Sequence, residues 1–107
     1  MESSEDAIIS TTLDGVITSW NAAAERIFGY KTNEVLGCPY RILKPDDRLT
    51  EEPHILNLLK QGKRINHYET LRICKNGKLI DMSLSISSIN DDEGRLIGAS
   101  TIQVVRL

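Results

Sequence analysis

The clearest periodicity in the chain lies toward its carboxyl end, where Ile80, Met82, Leu84 and Ile86 alternate without a slip with Asp81, Ser83, Ser85 and Ser87. Successive strand residues point to opposite faces, so this run predicts a half-buried β-strand with one face on a core and the other in water. Asn76-Gly77 joins the run KLIDMSLSISSI at 78–89 to HYETLRICK at 67–75, and the cluster Asn90-Asp91-Asp92-Glu93-Gly94 joins it to RLIGASTIQVV at 95–105. Both connections are turn signals, and the last forty residues predict a three-stranded meander. At the other end, AIISTT at 7–12 and VITSW at 16–20 flank Leu13-Asp14-Gly15 and predict a hairpin.

Between the two groups of strands the pattern is helical but broken. Asn21 offers a side-chain oxygen to the free amides of AAAERIF at 22–28, and Gly29 suits the left-handed closing position, which predicts a helix of about two turns. Residues 31–49 hold Gly37, Pro39, Pro45 and Asp46-Asp47 and support only single helical turns. From Thr50 a longer helix begins. Glu51 and Glu52 suit its positive end, Pro53 is tolerated in the first turn, Ile55, Leu58 and Leu59 share one face, and Gly62 ends the run. This order of elements predicts an α+β fold with helices on one side of an antiparallel sheet. For hairpin and meander to form one sheet, the helical segment must cross the sheet face. The space beneath it is the expected ligand cavity.

Composition narrows the function without choosing it. The 107 residues are 40% hydrophobic and 26% charged, ordinary for one globular domain, expected here over 7–106 with a tail at 1–6. The 13 basic and 15 acidic residues are interspersed, which argues against a nucleic-acid partner. The apolar runs are short and the first residues acidic, so neither membrane insertion nor a signal peptide is expected, and the domain reads as cytoplasmic. Cys38 and Cys74 lack metal-ligand spacing and read as reduced bystanders, Cys38 as a small buried filler. No Ser-His-Asp or Cys-His set can be built from two histidines on separate elements, and catalysis by this chain is not expected.

The chain also resembles the PAS sensory domains over Asp6 to Arg106. The resemblance rests on DAIISTTLDGVITSWNAAAERIFGYKTNEVLG, on PDDR at 45–48, on GKRINHYETLRICKNGKLIDMSLSISSI and on GRLIGASTIQVVR. It implies a five-stranded antiparallel sheet in order 2-1-5-4-3 with helices over its inner face. It also implies a sensor in a larger signalling chain whose output is a histidine kinase of a two-component system, or a cyclic-dinucleotide enzyme. Family members continue past an Arg like Arg106 into a signalling helix, so the chain reads as an excised module with Leu107 as a remnant.

Two cofactors known in the family are disfavoured by the residues present. Heme-binding members use a His on the longest helix, but counted back from Gly62 that position falls nearer Glu51 than His54, and His54 beside Pro53 reads as solvated. Blue-light members carry a flavin-reactive Cys in Gly-x-Asn-Cys-Arg, and the matching Gly37-Cys38-Pro39-Tyr40-Arg41 has Tyr40 in its place.

Trp20 and Phe28 read first as core anchors for the hairpin-to-helix corner and second as cavity wall. Tyr68 is a further candidate, because Tyr68, Thr70 and Arg72 alternate along one strand and could meet an anionic or hydroxylated guest, or merely form a cross-strand ladder. Met82, Leu84 and Ile86 complete the cavity-lining set. Asp81 is expected to pair across strands with Arg72 or Lys75 at the surface. Two functions stay open: a sensor of a small molecule in the cavity, or a ligandless homodimerisation or docking module, its own side chains filling the cavity, that uses the outer sheet face or flanking helices.

Overall fold

The computed structural model describes residues 6–48 and 51–106. Strands β1 (Ala7–Thr12) and β2 (Ile17–Trp20) form the amino-terminal hairpin. Its turn is closed by the Gly15 amide donating to the Thr12 carbonyl at 3.0 Å and the Thr12 amide donating to the Val16 carbonyl at 2.9 Å. Val16 bridges to Pro39 and stands outside β2.

Helix α1 (Ala22–Phe28) follows at once, because Asn21 serves two elements. Its Oδ1 accepts from the amides of Ala24 and Ile8, both at 3.0 Å, while its Nδ2 donates to the Asp6 carbonyl at 3.1 Å. The residue that caps the helix therefore also ties it to β1, in a context where capping alone is worth about 1 kcal/mol. Gly29 closes the helix at φ 85°, a region costly for residues with a Cβ.

Pro39 and Pro45 then break the backbone into short pieces: α2 (Thr32–Val35) and two 3-10 turns at Tyr40–Leu43 and Asp46–Arg48. Helix α3 (Glu51–Lys60) completes the crossover, and β3 (Ile65–Ile73), β4 (Leu79–Asn90) and β5 (Leu96–Val105) form the meander. The strands make one antiparallel sheet in order β2-β1-β5-β4-β3. Met82, Leu84 and Ile86 all point into the core, as the alternation requires.

Three local expectations are corrected. The third strand starts at Ile65, earlier than its apolar run, because a register irregularity between Ile65 and Tyr68, with His67 at φ 57°, carries the pairing across non-alternating residues. Asp81 lies opposite Leu71, and Arg72, opposite Ile80, points inward, so the surface pair between Asp81 and Arg72 does not form. Cys38 is only half-buried, its Sγ donating to the Glu34 carbonyl at 3.3 Å, because the 37–40 segment runs along the molecule's edge beside β2. The tail through residue 5, Thr50 as a helix start, and Leu107 lie outside the described residues. Among the described residues no helix is long and apolar enough to cross a membrane.

Candidate functional site

Between the crossover and the sheet lies a cavity of about 370 Å³. Its floor is built by the alternation of two neighbouring strands: Leu84 and Ile86 from β4, Ala99 and Thr101 from β5, with Gly98 where β5 meets β1. Its roof is the apolar face of α3, through Ile55, Leu56 and Leu59. Polar character enters on one side, where Tyr40 and Lys44 descend from the first 3-10 turn and Arg72 rises from β3.

These polar residues are deeply placed. Arg72 is 1% exposed and Lys44 5%. The Arg72 Nε donates to the Tyr40 hydroxyl at 3.1 Å, and its Nη1 donates to Thr70 Oγ1 at 3.4 Å and to the Leu71 carbonyl at 2.9 Å. The Tyr40 ring is bordered by both cations, with the Arg72 guanidinium 5.6 Å and the Lys44 ammonium 5.8 Å from its centroid, inside the range of cation–π attraction.

The same hydroxyl connects to β5. Gln103 Nε2 donates to it at 2.6 Å and to Thr101 Oγ1 at 2.9 Å, and Thr101 Oγ1 donates to the Ile9 carbonyl at 3.2 Å. Gln103 Oε1 is buried and has no hydrogen-bond partner among the described residues. Turning the amide over moves the deficit to Nε2. Either orientation leaves one buried polar atom unmatched, a cost of about 1–3 kcal/mol.

Of the six cavity candidates, Leu84 and Ile86 line the cavity. Trp20 and Phe28 pack on each other with ring centroids 5.6 Å apart, and the Trp20 Nε1 donates to the Tyr30 carbonyl at 3.0 Å, so both anchor the corner between hairpin and α1. Met82 is buried in the same core cluster, with half-buried Tyr68 packed against it, and neither stands on the cavity wall. His54, the residue considered for heme, is exposed on α3 and outside the lining. Tyr40, Lys44 and Gln103 are the residues that sequence patterning misses. Arg72 is found, but as an interior group.

Burial raises the Cys74 thiol above its ordinary value, and its Sγ donates to the Ile27 carbonyl at 3.3 Å, a structural role beside α1. Among the described residues no group of three or more His, Cys, Asp or Glu side chains could hold a metal.

Residues 1–103 match the family model described as PAS fold. The signal transduction histidine-protein kinase AtoS of Escherichia coli (strain K12) is 31% identical over 104 residues, which cover 95% of this chain and 16% of the kinase. The chain thus spans 16% of the length of the curated relative it matches. Among solved structures, the PAS domain of a protein from Colwellia psychrerythraea superposes with a TM-score of 0.88 at 23% identity, covering 96% of this chain and 87% of that one. A light-oxygen-voltage domain studied with a flavin analogue gives a TM-score of 0.79 at 21% identity, covering 95% and 78%. At these identities the structural likenesses speak for the fold.

Proposed function

This chain belongs to the PAS family, and from that premise we propose that it is the sensory module of a multidomain signal-transduction protein with a histidine kinase as output, and that its cavity receives a small molecule. The observation that carries the reading is the make-up of the cavity wall. An apolar floor and roof enclose a few convergent polar groups, the composition of small-molecule sites. The floor includes Ala99 and Thr101 of β5, so a guest would bear directly on the last strand. It can bias that strand only by the difference in its affinity for the strand's alternative positions. The module carries no reaction of its own and works in the cytoplasm, where free Cys38 and Cys74 are ordinary.

The test is to purify the chain, record its absorbance, denature it and identify by mass spectrometry whatever is released. A stoichiometric compound that rebinds and perturbs the amide signals of Leu84, Ile86, Ala99 and Thr101 is the expected result. A chain that releases nothing, and whose cavity signals are unmoved by a fragment library, overturns the reading.

A second reading is favoured by a separate observation. On the outer sheet face Ile8 lies opposite Ile102, and both are exposed, as is Val104 further along β5. This apolar stripe supports a ligandless homodimerisation or docking module. Light scattering on the eluting protein decides it: a dimer that Ile102→Glu converts to monomer supports this use of the face.

A further inference from the structure

We propose that a second recess, between the end of α1 and the turn joining β3 to β4, docks an acidic segment of a partner protein, an apolar side chain entering it and flanking carboxylates meeting Arg26, Lys75 and Lys78. The inference goes beyond the cavity reading and does not depend on it.

The recess measures about 460 Å³ and shares no lining residue with the cavity. Its apolar wall is Ile27 of α1, Ile80 of β4 and Val105 of β5, each half-buried. Arg26, Lys75 and Lys78 line the same recess, all three exposed, and no carboxylate stands among the described residues of its lining. The chain as a whole has 15 acidic residues against 13 basic ones, so this local excess runs against the overall sign. Lys75 is paired with Glu34 at 2.6 Å, while Arg26 and Lys78 have no ion pair among the described residues. An ammonium carries three donors, so Lys75 can meet a second carboxylate without releasing the first.

Hydrogen bonds hold the walls of the recess together. The Lys75 amide donates to the Phe28 carbonyl at 2.8 Å and Cys74 Sγ donates to the Ile27 carbonyl at 3.3 Å, which fixes the end of α1 against β3. The same bonding decides the kind of anion. Compact anions such as phosphate are held by converging backbone amides. Here the amides of Gly29, Cys74, Lys75 and Lys78 are already spent, on the carbonyls of Glu25, Lys78 and Phe28 and on the Asn76 side chain. Positive charge is left at the ends of three long side chains on two separate elements. Several carboxylates spaced along a peptide suit such a set, and an apolar side chain among them covers Ile27, Ile80 and Val105. The one aromatic ring of the lining, Phe28, is fully buried and offers no stacking surface to a nucleic acid. Exposed charges pair weakly, so the contact is expected to be small and transient. Val105 shares the inner face of β5 with Ala99 and Thr101, so a partner seated here bears on the strand that also floors the cavity.

The experiment titrates the isotope-labelled 107-residue chain with blocked hexapeptides and follows its amide spectrum. The acidic peptide is Glu-Asp-Leu-Phe-Asp-Glu. Its counterparts replace the acids by Gln and Asn, or Leu-Phe by Gly-Gly, and a single-stranded oligonucleotide and inorganic phosphate complete the set. The acidic peptide is expected to move the signals of Ile27, Gly29, Lys78 and Val105 saturably, to bind about tenfold more tightly than its neutral counterpart, and to weaken as salt is raised. Arg26→Gln and Lys78→Gln should each weaken it about threefold, while Lys63→Gln, the same change of charge outside the recess, should leave it unaltered. A neutral peptide binding as tightly as the acidic one, or a loss with Lys63→Gln equal to that with Lys78→Gln, overturns the recognition of charge at this place. The Gly-Gly peptide binding equally well overturns the apolar anchor. Phosphate or the oligonucleotide moving the same signals at lower concentration than the peptide overturns the protein partner. If no probe moves them, the inference falls. The cavity reading stands or falls separately, on the compound released by denaturation.

Discussion

Glu25 joins two helices through one carboxylate. Its Oε2 accepts from the amide of Thr32 at 2.7 Å and from the Thr32 hydroxyl at 2.9 Å, so a side chain of α1 caps the first turn of α2. The backbone bond, then the hydroxyl bond, favour the charged form and hold this carboxyl below its ordinary value of 4.5. Glu34 is lowered too, first by its bond with Lys75, whose Nζ lies 2.6 Å away, and then by the Lys31 amide. A carboxyl whose folded value is depressed contributes stability that is fully present above its unfolded value and is lost as pH falls through the folded one. The chain should therefore weaken as pH drops below 4.5. Glu25→Gln removes one such group. Its urea midpoint should start lower near neutrality and fall less than that of the parent between about pH 6.5 and about pH 3.5. Equal falls in the two proteins would show that the Glu25 bonds do not distinguish folded from unfolded chain.

At the scale of elements, the contact between β1 and β5 depends on Gly98. It lies opposite Thr12, and a Cβ there would collide with the Thr11 carbonyl oxygen, a backbone atom that cannot swing aside. Gly98→Ala should therefore destabilise the domain by about 1–3 kcal/mol, the usual cost of overpacking, or prevent folding. Urea unfolding measures it, and a midpoint equal to the parent's would mean that the two strands separate there without penalty.

Such elements divide into those the sequence reveals and those it hides. The alternation of β4, the Asn21 cap and the Gly29 closure are local signals, and each produces the element it predicts. The starts of β2 and β3 shift because pairing with a distant segment sets them: Pro39 engages Val16, and β4 imposes the irregularity at His67. In β5 the polar residues Thr101 and Gln103 turn toward the interior, opposite Ile86 and Leu84, while Ile102 and Val104 turn to the exposed face. Apolar patterning alone would favour the reverse. What fixes the inward pair is Tyr40, more than sixty residues away along the chain from Gln103, with Arg72 bound to the same hydroxyl. A segment as irregular as 37–48 has no period from which the burial of Tyr40 or Lys44 could be read. Local rules fail here at the cavity wall, which is where functional constraint is expected to override them.

For the whole molecule, the position of β5 decides how occupancy of the cavity could be transmitted. It is the central strand, bonded to β1 along Ala7–Thr12 and to β4 along Met82–Asn90, whereas β2 and β3 each pair with a single strand, β2 being met on its outer side only at Ile17 by Gly37 and Cys38. Local opening is governed by how many bonds and buried contacts an element must surrender, so a strand paired on both sides opens only when the domain unfolds. Amides from Ser100 to Val104 should thus exchange with solvent at the rate set by global stability, and those of the four-residue edge strand β2 many times faster. Hydrogen exchange followed residue by residue measures both. A guest lying against Ala99 and Thr101 would then have to displace β5 with both ladders intact, moving its exposed face, Ile102 and Val104 included, as one body. Saturating ligand should accordingly shift the β5 amide signals while leaving their exchange as slow as before or slower. If the β5 amides exchange as quickly as those of β2, the strand melts locally, and a signal could leave the domain by loss of order rather than by rigid displacement.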